Sequence, residues 1–107
     1  MKIEILYLSG CPYHVPAVSR VRDVLLQEGV SAELAEVEVK ETASARRLGF
    51  LGSPSIRIDG QDIEVAARSS VAFGLTCRTY EAQGMRRGIP PLDWIRTAVR
   101  EARRNQA

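Results

Sequence analysis

Ile3-Glu4-Ile5-Leu6-Tyr7-Leu8-Ser9-Gly10-Cys11-Pro12-Tyr13-His14-Val15 joins an alternating apolar run to the start of a helical pattern, with a cysteine at the junction. Ile3, Ile5 and Tyr7 alternate with Lys2 and Glu4, which predicts a strand from Lys2 to Leu8, and Ser9-Gly10 ends it. From Val15 onward, Val15, Val18, Val21 and Leu25 fall at helical spacing while Ser19, Arg20, Arg22, Asp23 and Gln27 face outward, and Gly29 supplies the stop. Pro16 sits early enough to be tolerated in the first turn. A thiol at a helix start meets unpaired backbone N–H groups and the positive end of the helix dipole, both of which favour thiolate over thiol. Cys11 is therefore the first candidate for chemistry, against the alternative of a small apolar residue under the helix.

Working outward, Leu34, Val37 and Val39 interleave with Glu33, Glu36 and Glu38 to give a second strand, and Glu41 to Leu48 form a short helix ended by Gly49. A β-α-β unit with a parallel pair is the simplest assembly of these elements. Asp59-Gly60, between two short alternating runs, predicts a hairpin joining a third strand at about Ser55 to Ile58 to a fourth at about Gln61 to Glu64. Residues 65 to 89 lack sustained periodicity and read as an irregular insertion carrying Cys77-Arg78-Thr79-Tyr80. After Pro90-Pro91, Leu92, Ile95, Val99 and Ala102 share one face of a last helix, with Asp93 in its first turn and Arg103 and Arg104 in its last.

A chain of 107 residues suits one compact domain, and its apolar (45%) and charged (26%) fractions are those of a globular protein. No apolar run approaches the roughly 20 residues that span a bilayer, and Lys2 leads straight into strand residues, so a cytoplasmic location with no membrane partner is expected. Two cysteines make no disulfide framework, and with one histidine they cannot build a zinc site of the usual ligand spacing, so neither a resident metal nor a cofactor is expected. The net charge of +2 is unevenly spread: residues 1 to 64 carry seven Lys and Arg against ten Asp and Glu, residues 65 to 107 eight against three. Arg68, Arg78, Arg86 and Arg87 are either a site for an anionic ligand or a solvated face. Aromatic residues are not interleaved with these arginines in the way a nucleic-acid groove requires, so nucleic acid is not expected as a partner.

The element order β-α-β-α-β-β-α, with a cysteine at the first strand-to-helix junction and Ser53-Pro54 before the third strand, resembles the thioredoxin fold, an α/β architecture built on a four-stranded mixed sheet. Cys11-Pro12-Tyr13-His14 is similar to the Cys-Pro-Tyr-Cys site of glutaredoxins, with histidine in place of the second cysteine. The resemblance implies that Cys11 is a nucleophile toward disulfides and that Pro54 is a cis-proline lying against it. Pro12, Tyr13, Ser53 and Arg78 are the accompanying substrate-binding candidates. Because His14 replaces the resolving thiol, a dithiol cycle within the loop is excluded. In such a fold the fourth strand returns to the active-site end, which would bring Cys77 beside Cys11 as a resolving thiol or a second metal ligand, unless it is buried beneath the last helix.

Other residues keep two readings. His14 either hydrogen-bonds the Cys11 thiolate as a general acid or base, or is exposed on the first helical turn. Tyr13 is a rim residue or packs on Phe50, and Arg78 supports a thiolate at Cys77 or pairs with Glu81. The expected function is thiol-dependent redox chemistry on a protein or low-molecular-weight disulfide. The alternatives are a binder of a soft metal ion such as mercury or copper through Cys11 and Cys77, and a non-catalytic interaction module. Organomercurial lyases, which use two well-separated cysteines with an Asp three residues after the first, are a second, weaker resemblance, with His14 at the Asp place.

Overall fold

The computed structural model describes residues 1–106. A four-stranded mixed sheet is built from β1 (Lys2–Tyr7), β2 (Glu33–Glu38), β3 (Ser55–Ile58) and β4 (Gln61–Asp62), in the spatial order β2-β1-β3-β4. Three helices accompany it: α1 (His14–Glu28), α2 (Thr42–Leu48) and α3 (Leu92–Asn105). Strand β1 pairs parallel with β2 and antiparallel with β3, and β3 pairs antiparallel with β4. Among the described residues no helix is long and apolar enough to cross a membrane.

Period-two alternation divides the side chains of β1 between two cores. Ile3 and Ile5 join Ile56 and Ile58 of β3 in a buried cluster with Ala17, Val18, Val21 and Val24 of α1 and Ile95, Ala98, Val99 and Ala102 of α3. Leu6 points the other way, into a smaller cluster with Val39, Ala45 and Phe50. Helices α1 and α3 therefore cover one face of the sheet and α2 the other. On the α2 face, Arg57 of β3 donates to the carbonyls of Leu48 (2.7 Å) and Gly49 (2.6 Å), satisfying acceptors that the end of α2 leaves open. The two helices on the first face are clamped at their solvent edge by Arg100, which forks onto both carboxylate oxygens of Glu28 at 2.7 and 3.0 Å. That hydrogen bond holds the Glu28 carboxyl below the usual carboxylate range.

The Asp59-Gly60 turn has both residues at positive φ, 51° and 84°, the geometry that joins β3 to β4 as a tight hairpin. Strand β4 is shorter than the sequence suggests and ends at Asp62. The expectation of a wholly irregular insertion also needs correction, because residues 65 to 89 contain a single 3-10 turn at Val65–Ala67 and a second hairpin, β5 (Tyr80–Ala82) with β6 (Met85–Arg87). Gln83 and Gly84 turn that hairpin at φ 55° and 74°.

The register explains how distant segments meet. Leu6, near the end of β1, lies opposite Ser55, the first residue of β3. The loop leaving β1, which holds Cys11, and the segment entering β3, which holds Ser53-Pro54, therefore emerge at the same end of the sheet. Strand β4 runs back to that end, since the Ile63 amide bonds the Ile56 carbonyl at 3.1 Å, and the insertion starts there.

Candidate functional site

Cys11 lies in the turn between β1 and α1. Its amide donates to the Leu8 carbonyl at 3.1 Å, and its carbonyl accepts from the His14 amide at 3.3 Å. Regular helix starts at His14, with Tyr13 at the cap position, so the cysteine precedes the first helical turn rather than capping it. The loop is tied to the neighbouring segment by Ser53, whose Oγ accepts from the Leu8 amide at 2.9 Å. The Ser53–Pro54 peptide is cis, and both residues are buried.

The segment from Thr76 to Tyr80 crosses Ser53 as a strap. Ser53 donates to the Thr76 carbonyl at 2.9 Å and accepts from the Arg78 amide at 3.0 Å, which makes an isolated parallel bridge between Ser53 and Cys77. Alternation along the strap buries Arg78 and Tyr80 and leaves Cys77 and Thr79 exposed. Arg78 forks onto Asp62 at 2.6 and 2.9 Å, reaches Glu64 at 3.0 Å and donates to Ser55 Oγ at 3.0 Å. Its guanidinium carbon also sits 4.6 Å above the centre of the Tyr80 ring. Burial opposes the Arg78 charge, but the hydrogen bond it donates to Asp62 and the surrounding field outweigh it and raise the group above its ordinary value. Burial has the opposite effect on the Tyr80 hydroxyl, raising it, so that it stays protonated and donates to the Pro54 carbonyl. Every buried side-chain N and O among the described residues has a hydrogen-bond partner, so this polar network is complete.

Between the loop and the strap lies a cleft of about 430 Å³, lined by Cys11, Pro12 and Tyr13 on one side, Ser53, Cys77 and Thr79 on another, and Arg86, Arg87 and Ile89 on a third. Both cysteines are free thiols, Cys11 partly exposed and Cys77 exposed. The structure thus brings Cys11, Pro12, Tyr13, Ser53 and Cys77 to one cavity, and Cys77 is not beneath the last helix. Tyr13 is a rim residue, as one of its two readings has it, and its ring lies over Gly88 in the insertion rather than on Phe50. A Cβ at Gly88 would fall 2.3 Å from that ring, so only glycine permits the contact.

Two candidates have their polar groups engaged elsewhere. His14 makes no hydrogen bond to Cys11 Sγ among the described residues; it stacks on Tyr7 with ring centres 3.5 Å apart, and its Nε2 lies 2.7 Å from Glu36 of β2. A carboxylate only accepts, so Nε2 carries the proton in this pair. Arg78 does not pair with Glu81, which bonds Arg86 instead, and although Arg78 lines the cleft its guanidinium is committed to Asp62, Glu64 and Ser55.

Gly52 is the residue that sequence reasoning passed over. Its φ of 128° is reserved for glycine, and an added Cβ would lie 2.8 Å from the Arg78 Cβ and 3.2 Å from the carbonyls of Thr76 and Cys77. Its position one residue before Ser53-Pro54 was the only available signal. Replacing Gly52 with alanine is expected to cost about 2–5 kcal/mol from backbone strain and overpacking together. Urea unfolding would show this as a lower midpoint, accompanied by faster proteolysis within residues 65 to 80. An unchanged midpoint would mean that the strap does not need this close approach.

No curated protein and no solved structure matches the chain. Residues 15–99 match the family described as "Domain of unknown function (DUF2703)". That match begins just after the Cys11 loop and takes in Ser53-Pro54, the strap with Cys77 and most of α3, so the chain belongs to this family.

Proposed function

We propose that the protein is a thiol-dependent redox protein of thioredoxin-like architecture, in which Cys11 attacks a disulfide and Cys77 resolves the product. The observation that carries this reading is the shared cleft: two free thiols, 66 positions apart in the chain, line one cavity on two separately anchored segments. Support for the architecture comes from the order β2-β1-β3-β4 and from α1 and α3 lying on one sheet face with α2 on the other.

In the first step the Cys11 thiolate attacks one sulfur of a substrate disulfide, forms a mixed disulfide and expels the other half as a thiolate that takes up a proton. The Cys77 thiolate then attacks the Cys11 sulfur, releasing the second half and leaving a disulfide between Cys11 and Cys77. Two electrons pass from the protein to the substrate, and an external thiol returns the protein to its dithiol form. Ser53 and Tyr13 hold the two walls of the cleft, while His14 anchors the loop base to β2 through Glu36.

Stoichiometric diamide followed by non-reducing peptide mapping tests the pairing. The expected product is a monomer containing one intramolecular bond between Cys11 and Cys77. A product made only of Cys11-linked dimers would overturn the resolving role of Cys77.

A second reading rests on the same two thiols. Groups of three His, Cys, Asp or Glu suited to a metal are absent among the described residues, so the cleft offers a soft ion a pair of thiolates and no third such ligand. Mercury(II) and copper(I) accept such a pair. One equivalent of either would remove both free thiols together, with no oxidant needed.

A further inference from the structure

The cleft between the two cysteines is asymmetric in charge. Three of its lining residues carry a permanent charge, and all three are arginines: Arg78, Arg86 and Arg87. Arg78 is neutralised by Asp62 and Glu64. Arg86 faces Glu81 at 3.2 Å across an open surface, with the two side chains 68% and 64% exposed, and such a pair is held only weakly. Arg87 makes no ion pair among the described residues; its guanidinium reaches only the Met85 sulfur, at 3.6 Å. No carboxylate lines the cleft to offset these charges. Pro12, Tyr13 and Ile89 add apolar surface beside the uncharged Ser53 and Thr79, and about 430 Å³ lies within the range of small-molecule sites.

We propose, on the basis of the thiol reading above, that the cleft selects small disulfides bearing carboxylate or comparable anionic groups, with Arg86 and Arg87 as the residues that set this preference. A molecule whose sulfur reaches Cys11 has Arg86 and Arg87 of β6 in the lining beside it, and an acid on it gains a charge-assisted partner in Arg87 without breaking an existing ion pair. A cationic disulfide meets uncompensated like charge at the same place. The arginines act on encounter and positioning and take no part in the exchange of electrons, so their effect follows substrate charge.

The test compares two aromatic disulfides in the Cys77→Ser protein, where Cys11 is the only thiol: dithiobis(nitrobenzoate), a dianion, and dithiodipyridine, which is neutral. Each rate is divided by that of a free small thiol with the same probe, which removes intrinsic reactivity. The normalised anionic-to-neutral ratio should exceed one, and combining Arg86→Gln with Arg87→Gln should lower it by roughly three- to tenfold. Salt at about 0.5 M should lower it in the same direction, because exposed charges are screened. A ratio that neither the double substitution nor salt changes overturns the selectivity while leaving the thiol reading intact. A Cys11 that reacts with neither probe overturns the thiol reading and the selectivity with it.

Discussion

Replacing Arg78 with alanine is expected to lower the unfolding free energy by about 3–5 kcal/mol, because it strands the Asp62 carboxylate in a site that is 6% exposed. That is a large share of the roughly 5–15 kcal/mol that holds a domain of this size together. Three bonds to carboxylate oxygens and one to Ser55 are lost at once, along with the contact over the Tyr80 ring. Arg78→Lys should fall between the two, since an ammonium cannot fork onto Asp62 and reach Glu64 together. Removing both charges, as in Arg78→Met with Asp62→Leu, should recover most of the loss. Glu64 is partly exposed and can be left to solvent, whereas Asp62 cannot. Denaturant midpoints for the four proteins decide the matter. A loss below about 1 kcal/mol for Arg78→Ala would place the network among surface ion pairs of little worth.

This network also shows where the sequence could be read and where it could not. The main sheet, α1, α2, α3 and the Asp59-Gly60 hairpin were legible because each is written in local periodicity and stop signals: Val18, Val21 and Leu25 at helical spacing, Gly29 and Gly49 at left-handed helix ends, two adjacent turn residues at positive φ. The strap is different. Its conformation is set by Ser53 and Asp62, which are 24 and 15 positions before Cys77, and nothing local announces those partners. The buried-exposed alternation of Cys77-Arg78-Thr79-Tyr80 is a strand signal only four residues long, and Gln83-Gly84 is a turn between runs too short and too polar to read as strands. His14, which the sequence left between two readings, is a related case. Three residues after Cys11 it is the natural local partner for the thiol, but β2 presents Glu36 at 2.7 Å and Tyr7 offers a ring to stack on, and two contacts across the sheet prevail over one spacing.

Cys11 and Cys77 should fail in different ways when replaced, and the difference separates a two-thiol cycle from a single reactive cysteine. Cys11→Ser is expected to reduce disulfide-reducing turnover by roughly a thousandfold or more, since the attacking sulfur is gone and the remaining thiol belongs to a different segment of the lining. Stability should change by less than about 1 kcal/mol, because Cys11 Sγ makes no hydrogen bond among the described residues and the residue is only partly buried. Cys77→Ser should keep the first attack and lose the second. Mass spectrometry should then find one substrate half per chain, attached at Cys11, and a fresh external thiol should release it. Wild type should show no such adduct at steady state, because an attack from within the same cleft outpaces one from solution at low external thiol. Turnover of Cys77→Ser at the wild-type rate with no trapped adduct would reduce the mechanism to Cys11 and external thiol, and the strap would then serve to shape the cleft rather than to deliver a second sulfur.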